Sequence, residues 1–255
     1  MDAVTQLEIC INELVASART LVSFCREGGL SSPGPQLCFP AEAPTSVHEA
    51  RRATLASVAK VQMLLCDSLS FFQQLAWHVQ LLACLQWLGR SQVLICLPLG
   101  SSFSVRDLAQ LCGVSETTLS RVVRLTATAG FLQEPQPGQI MHTPLSGAFG
   151  GQPSLRDATL FLSNCITPSA LQMASTLHLG RTESAAESAY NLAFATSRTF
   201  RDACRVTPKL HRQWIAYLRN TGDSDDSITE VLTRLDWAHL GRSCIVEVKT
   251  PSLLG

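Results

Sequence analysis

The segment from Phe103 to Phe149 constrains the fold more than any other part of this sequence. Ser104 is placed to cap a short apolar helix, and Gly113 is placed to end it. Ser115 is placed to cap a second helix, in which Glu116 favours the positive end of the helix dipole. A short helix, a turn that contains glycine and a second helix together predict a helix-turn-helix.

The two helices divide into an apolar and a polar face. The residues expected to be buried are Val105, Leu108, Ala109, Leu111, Leu119, Val122, Val123, Leu125, Thr126 and Ala129. On the second helix, a polar stripe contains Thr117, Arg121 and Arg124, and Thr128 continues it. Such a stripe can be a solvated face, or it can contact DNA or a protein partner.

A β-hairpin is predicted directly after the second helix. Gly130–Glu134 has the pattern of a strand, Pro135–Gly138 that of a tight turn, and Gln139–Thr143 that of a returning strand. A hairpin in this position is the wing of a winged helix-turn-helix, which is the fold that we predict for this segment.

The charge of this segment argues against direct DNA binding. Between Arg90 and Gly150 there are four arginines and three acidic residues, which leaves a net charge of only +1. The whole chain has twenty basic and twenty acidic residues and a formal charge of zero. Because contacts from Lys and Arg to phosphates supply most of the affinity for DNA, we do not expect DNA binding by this chain alone.

The N-terminal residues 2–27 are predicted to form one helix that Gly28 and Gly29 end. Its apolar residues alternate in steps of three and four, which is the heptad pattern of a helix seam, and they are Val4, Leu7, Ile11, Leu14, Ala18, Leu21 and Cys25. The pattern leaves two alternatives open: the helix lies on its own chain, or it packs against a second subunit. Residues 28–46 contain four prolines and are predicted to be a linker.

Two further helices are predicted over Val47–Leu69 and Phe71–Leu88. The uncharged run between Asp67 and Arg90 is long enough to span a bilayer. It contains five strongly polar side chains, namely Gln73, Gln74, His78, Gln80 and Gln86. Because such groups are costly in hydrocarbon, we predict a buried core helix and no membrane segment.

The part after Gly151 is predicted to be helical and then to begin a different domain. The predicted helices are Leu155–Asn164, Ser169–Leu179, Ser184–Ala195, Leu210–Leu218 and one that starts at the capping box Ser227–Glu230. Ser243–Val248 is predicted to be a short buried strand. A nucleotide-binding sheet needs a glycine-rich loop after such a strand, whereas Lys249–Gly255 has no glycine at the turn.

Composition predicts neither a metal site nor a catalytic site. The ten cysteines are never closer than twelve positions apart, which does not match zinc-ligand spacing. We therefore expect reduced thiols in an intracellular protein. None of the six histidines has an orienting partner in the sequence, so the chain is expected to bind no cofactor and to catalyse no reaction.

Several segments resemble known families. Gly130–Gly138 and His142–Ser146 resemble the wing of plant and fungal O-methyltransferases. The longer segments resemble a fungal subgroup that contains the transcriptional coactivators of polyketide gene clusters, typified by the aflatoxin-cluster coactivator. These segments are Leu82–Leu88, Gln92–Leu94, Ser188–Phe194, Pro208–Trp214, Leu235–Trp237 and Val246–Val248. The resemblance extends from about Val47 to Val248.

The resemblance implies a fold and a domain order. In the methyltransferases a helical winged region dimerises and precedes the S-adenosylmethionine domain. We therefore expect a mainly α fold with a helical N-terminal region, a winged helix-turn-helix, a helical segment and one orphan strand of an incomplete Rossmann-like domain. The expected divisions are 1–46 for the first helix and linker, 47–151 for the winged-helix, dimerisation-like domain, and 152–255 for the truncated remainder.

The resemblance also implies a function. Members of the subgroup assist a binuclear zinc cluster activator instead of methylating a substrate. We therefore expect a non-catalytic coactivator that is a homodimer and acts in the nucleus as well as the cytoplasm. Thr117, Arg121 and Arg124 are its candidate contacts to DNA or to a partner. One alternative is an O-methyltransferase whose catalytic domain is missing from this sequence. Another is a winged-helix regulator that binds DNA directly.

Overall fold

The computed structural model describes residues 2–29, 37–40, 42–176 and 188–221. These residues fold mainly as helices with one small three-stranded antiparallel sheet, which confirms the predicted fold class at that level. The helices are α1 (Ala3–Phe24), α2 (Thr45–Leu65), α3 (Ser68–Arg90), α4 (Val93–Cys96), α5 (Val105–Cys112), α6 (Glu116–Thr128), α7 (Pro144–Gly151), α8 (Pro153–Phe161), α9 (Thr167–Leu171), α10 (Met173–Thr176), α11 (Ala189–Phe194), α12 (Phe200–Val206) and α13 (Pro208–Thr221). The strands are β1 (Phe103–Ser104), β2 (Leu132–Gln136) and β3 (Gln139–His142).

Helix α1 begins and ends as its sequence predicts. The Asp2 carboxylate accepts a hydrogen bond of 2.7 Å from the backbone N–H of Thr5, which caps the first turn. After Phe24 the chain continues in a π-type turn over Cys25–Gly29, and it leaves helical geometry at Gly28, whose φ is +86°. A positive φ is readily available to glycine, which explains why the helix stops there.

The boundary between α2 and α3 differs from the prediction. The sequence placed it near Ser70, whereas α2 ends at Leu65 and α3 begins at Ser68. The reason is Asp67, whose carboxylate accepts a hydrogen bond of 2.7 Å from the backbone N–H of Ser70 and so caps α3. Helix α3 then extends to Arg90, two residues further than predicted.

Helices α5 and α6 have the caps that the sequence predicted. The hydroxyl groups of Ser104 and Ser115 each accept a hydrogen bond of 3.4 Å from a backbone N–H three residues later. Gly113 ends α5 in the left-handed conformation, with φ at +65°. One expected core residue is wrong: Leu111 is 63% exposed, because it lies on the side of α5 away from α6.

The sheet has one strand more than the predicted hairpin. Strand β3 lies in the middle, and β1 pairs with it antiparallel through Phe103 and Ile140. In β2 the register shifts between Gln133 and Gln136, around Pro135, which has no N–H to donate to the ladder. The turn is formed by Pro137 and Gly138, and the glycine has a φ of +78°.

One hydrophobic core joins the end of α3 to α4, α5, α6 and the sheet. Its buried members are Leu88, Val93, Leu94, Leu97, Val105, Leu108, Ala109, Leu119, Val122, Val123, Phe131, Leu132 and Ile140. Leu125 and Ala129, which were expected in this core, are only partly buried at its edge. Side chains from four helices and a sheet therefore converge on one volume, as in a well-packed domain.

The helices after the sheet are held by aromatic packing. The Phe161 ring on α8 lies 5.9 Å from Phe200 on α12 and 5.3 Å from Tyr217 on α13, measured between ring centroids. Arg212 donates to both carboxylate oxygens of Asp157 at 2.7 and 3.3 Å, which fixes α13 on α8. Helices α7 and α12 were not predicted.

A π-type turn over Leu162–Ile166 connects α8 to α9. The Asn164 side-chain oxygen accepts hydrogen bonds from Gln86, at 2.7 Å, and from Arg90, both on α3. The turn therefore links the last helices to α3. The predicted capping box at Ser227 and the predicted strand Ser243–Val248 lie outside the described residues.

Candidate interaction surfaces

Large apolar side chains are exposed mainly at the N-terminal end of the molecule. In the described part of the chain, fifteen of the twenty-five exposed large apolar side chains lie between Val4 and Val79. They are Val4, Ile9, Ile11, Val15, Val22, Leu37, Leu55, Val58, Met63, Leu65, Leu69, Phe71, Phe72, Leu75 and Val79. We call the members on α1, α2 and α3 the N-terminal apolar surface. Clusters of this kind mark interaction sites in soluble proteins.

The predicted seam of α1 divides into two rows in the structure. Leu7, Leu14 and Leu21 are half-buried, on the side of α1 where Cys10 is buried and Ser17 contacts α2. Val4 and Ile11 stay 68% and 43% exposed. Helix α1 therefore packs on α2 of its own chain. It does so through the side that carries the three half-buried leucines together with Cys10 and Ser17.

Four of the exposed apolar residues of α1 form an outer row. Val4, Ile11, Val15 and Val22 follow one another in steps of seven, four and seven, so they lie on one side of the helix. Because α1 has apolar residues on two neighbouring sides, the heptad pattern alone did not distinguish the row that faces α2 from the row left exposed.

Helix α3 is exposed at its start and buried at its end. Leu69, Phe72, Leu75 and Val79 recur every three or four residues along its first three turns, and Phe72 is 66% exposed. Leu88, in the last turns, is fully buried in the core. The sequence predicted burial for this entire helix, which is wrong for its first half.

A groove of about 590 Å³ lies at the elbow between α2 and α3. Its lining includes Met63, Cys66 and Phe71 as well as Gln62 and Gln74, whose side chains share a hydrogen bond of 2.8 Å across the elbow. A second groove of about 300 Å³ lies between α1 and α2 and also reaches Met63. The N-terminal apolar surface is therefore indented and not flat.

The predicted polar stripe of α6 lies on one exposed face. Thr117, Arg121 and Arg124 are all exposed and are spaced by four and three residues. Arg124 contacts Glu134 on β2, with 3.4 Å between its Nε and a carboxylate oxygen. The other oxygen of Glu134 accepts a hydrogen bond of 2.9 Å from the N–H of Gly138. A carboxylate of the hairpin thus partly neutralises the stripe.

A buried Ser–His pair was missed by the sequence reasoning. The Nδ1 atom of His142 lies 2.8 Å from the hydroxyl of Ser146, and their residues are 7% and 0% exposed. Burial lowers the pKa of His142 below its ordinary value of 6.5, while the carbonyl groups of Leu94 and Leu97 oppose that shift in part.

The surroundings of the pair indicate a structural role. The Ser146 hydroxyl also takes part in the capping box of α7 with Thr143. A nucleophile and its base must reach a substrate, and neither side chain of this pair faces solvent. We interpret the pair as a link between β3 and α7.

Among the residues that the structure describes, no helix combines the length and apolarity needed to cross a membrane. Within the same residues no group of three or more His, Cys, Asp or Glu side chains could hold a metal ion.

Comparison with known proteins gives these surfaces a context. Residues 4–66 match the N-terminal domain of the trypacidin cluster transcriptional coactivator tpcD. The chain is 47% identical to tpcD of Aspergillus fumigatus over 98% of this chain and 58% of that protein. It is 43% identical to the monodictyphenone cluster coactivator mdpA of Emericella nidulans, over 99% of this chain and 53% of that protein. It is 39% identical to the aflatoxin cluster coactivator aflS of Aspergillus flavus, over 98% of this chain and 56% of that protein.

Solved structures share the fold at low sequence identity. OxaC, solved in complex with SAH and oxaline, matches with a TM-score of 0.62 and 16% identity over 87% of this chain and 52% of OxaC. LepI, solved in complex with SAM, matches with a TM-score of 0.57 and 15% identity over 84% of this chain and 51% of LepI. At these identities the likeness establishes a methyltransferase-like fold alone.

The chain spans little more than half the length of the curated relatives that it matches. These relatives are named transcriptional coactivators and not enzymes. By sequence, the chain is therefore similar over nearly its whole length to fungal transcriptional coactivators of secondary-metabolite gene clusters, as its resemblance predicted.

Proposed function

We propose that this protein is a non-catalytic coactivator of a fungal polyketide gene cluster, which acts in the nucleus as well as the cytoplasm by contacting a binuclear zinc cluster activator. The observation that carries the proposal is its 47% identity to a cluster coactivator over nearly the whole chain. The N-terminal apolar surface supports it, because much of this surface lies within the residues that match the coactivator domain. A protein that acts by contact needs such a surface more than it needs an enclosed pocket.

The proposed assembly is a homodimer through the N-terminal apolar surface. Obligate interfaces are apolar at their centre, and exposed rows on α1 and α3 provide apolar area on two neighbouring elements. Helices α5 and α6 with the β2–β3 hairpin are proposed to be a winged helix that serves as the scaffold of this assembly. The central unit 47–151 contains the whole described core, while α1 packs on α2 across the proposed boundary at residue 46.

The dimer is tested by placing charge in the exposed row of α3. We expect Phe72→Glu together with Leu75→Glu to halve the mass measured by light scattering and to abolish co-precipitation with the activator. The matched control is Gln73→Glu together with Gln80→Glu, which adds the same two negative charges at exposed polar positions of the same helix. A wild-type chain that is monomeric at micromolar concentration, or a charged variant that still associates, would contradict the proposed dimer.

An O-methyltransferase remains a second candidate, because the fold neighbours include proteins solved with SAM and SAH. The described residues do not fit such a cofactor, since the sheet among them is the small antiparallel one and not a parallel sheet with a glycine loop. We therefore expect calorimetry of this chain with S-adenosylmethionine to give no saturable binding. Saturable binding at micromolar ligand would favour the enzyme.

Direct DNA binding is a third candidate and is tested at the polar stripe. Since Glu134 contacts Arg124, few unpaired positive charges remain on this face, and we expect no salt-sensitive, sequence-specific complex in a mobility-shift assay. A specific complex that Arg121→Ala and Arg124→Ala abolish would establish a DNA reader.

A further inference from the structure

We propose that Thr54 is a phosphorylation site for a protein kinase that reads basic residues, and that a phosphate there separates α1 from α2. The sequence around it is Arg51-Arg52-Ala53-Thr54-Leu55. Two arginines precede the hydroxyl by three and two positions, and an apolar residue follows it. A kinase with acidic subsites pairs with such arginines, and both are exposed on α2.

The Thr54 hydroxyl lies in the contact between α1 and α2. Its oxygen is 2.9 Å from the Ser17 hydroxyl of α1 and 2.8 Å from the backbone carbonyl oxygen of Ala50. The Ser17 hydroxyl in turn donates to the carbonyl oxygen of Glu13, at 2.9 Å. Ser57, one turn further along α2, is buried. The hydroxyl therefore faces the neighbouring helix at short range.

A phosphate cannot occupy this contact in its present form. It adds three oxygens and a charge of about −2, and the carbonyl oxygen of Ala50, 2.8 Å from the Thr54 hydroxyl, would repel it. Burying such a charge without a cationic partner is costly, and separating α1 from α2 gives the phosphate access to water. Because α1 packs mainly on α2 in the described part of the chain, the expected response is release of α1.

A kinase needs its substrate segment in an extended form, and α2 is suited to local opening. The helix begins after Pro44, which supplies no side-chain hydrogen bond to the first turn. Helix ends without caps open more readily than capped ones. Opening the first three turns of α2 would expose Thr54 and place it with the two arginines in an extended segment.

The transfer itself needs ATP as the second substrate. The bond between the γ-phosphorus of ATP and its bridging oxygen breaks, and a bond forms between that phosphorus and Oγ1 of Thr54. The hydroxyl proton passes to the catalytic carboxylate of the kinase, and ADP leaves with the electron pair of the broken bond. No oxidation or reduction takes place.

Release of α1 would alter the N-terminal apolar surface, because α1 carries part of it. This consequence rests on the proposed function of that surface. The test treats the full chain with the catalytic subunit of cAMP-dependent protein kinase and Mg-ATP. We expect mass spectrometry to place one phosphate on Thr54, and we expect amide hydrogen exchange over Ala3–Phe24 to accelerate by about tenfold or more. Exchange in α6 should stay unchanged.

Two variants and a peptide control the test. Thr54→Val keeps the shape of the side chain and should receive no phosphate there, whereas Arg51→Ala with Arg52→Ala should lose the modification while keeping Thr54. A synthetic peptide of residues 47–59 establishes that the kinase is active on this sequence. A modified peptide beside an unmodified chain would overturn the proposal, as would an unmodified peptide or phosphorylation without faster exchange in α1. If the untreated chain is monomeric, the proposed dimer is wrong. The phosphate on Thr54 and the hydrogen exchange of α1 still test the phosphorylation site and the release of α1.

Discussion

The N-terminal helix pair and the central core use similar apolar residues in opposite ways. In α1 and α2 the buried residues are few, namely Cys10, Val47, Ala50 and Ser57. In the central core, leucine, valine and isoleucine side chains from α3 to β3 are almost completely removed from solvent. Two helices that pack only along one another can bury one row each, so the remaining apolar rows stay exposed.

This difference separates two roles of apolar sequence. In the core, apolar residues stabilise the fold of the single chain, because five elements supply neighbours on every side. At the N-terminal end, much of the apolar area makes no contact within the described chain and is available to a partner. Substitutions of the same chemical type should therefore lower the stability of the single chain far more in the core than at the N-terminal end.

The largest effect is expected in the core. Leu108 is fully buried on α5, so Leu108→Ala should lower the free energy of unfolding by about 2–5 kcal/mol through lost burial and a residual cavity. The matched control is Leu55→Ala on α2, an exposed leucine, which should change it by less than about 0.5 kcal/mol. Urea denaturation of both variants measures the two changes in unfolding free energy. Equal changes would contradict the predicted difference between the core and the N-terminal helices.

A smaller effect is expected where two backbones approach closely. A Cβ atom on Gly150 would lie 2.7 Å from the carbonyl oxygen of Leu94, so Gly150→Ala should cost about 1–3 kcal/mol, more than the gain in helix propensity. Gly151→Ala is the control, because nothing lies within 4 Å of its Cβ position. In thermal unfolding, Gly150→Ala should have a clearly lower melting temperature than Gly151→Ala. The reverse order would contradict a close backbone contact between α4 and α7 at Gly150.

The pH dependence of stability should come partly from the core. Burial lowers the pKa of His142, so the unfolded chain binds its proton more readily than the folded chain does. Stability from this group is complete above the ordinary pKa of 6.5 and falls as the pH drops below it, by at most about 1.4 kcal/mol per pH unit.

The measurement is a series of urea titrations between pH 7 and pH 5. His142→Gln should flatten the change, while His211→Gln, at a partly exposed position on α13, serves as the comparison. A slope that persists in His142→Gln would assign the dependence to another group.

The smallest effect on unfolding is expected in the exposed row of α3. Phe72→Ser should change the unfolding free energy of the dilute chain by less than about 0.5 kcal/mol, because the ring is already in solvent. It should nevertheless remove the dependence of the melting temperature on protein concentration that a dimer produces. A large loss of stability at high dilution would indicate that Phe72 packs within the single chain.

Sequence reasoning succeeded where the decisive chemistry is local. Ser104, Ser115 and Gly113 determine helix ends through hydrogen bonds and φ values within one turn, and each was predicted correctly. The β2–β3 hairpin was likewise predicted, but its turn is shorter than predicted, because Pro135 and Gln136 belong to β2. The polar stripe of α6 was also placed correctly on one exposed face.

It failed where the decisive contact is distant in sequence. Strand β1 has only two residues, so it shows no alternation, and its pairing with Ile140 is set by the fold. The start of α3 looked like a core segment because its apolar content does not reveal which half has neighbours. The Ser17–Thr54 contact could not be predicted either, because the sequence does not show which hydroxyl groups of two neighbouring helices meet.

The π-type turn over Leu162–Ile166 has a consequence for how this chain can change in evolution. Such a turn is one residue wider than a regular helical turn, so deleting one residue there would restore a continuous α-helix from α8 into α9. Every later side chain would then rotate by about 100° around the helix axis. Asn164 would turn away from Gln86 and Arg90, and α3 would lose its hydrogen bonds to this turn. The number of residues in this turn is therefore constrained more tightly than their identity.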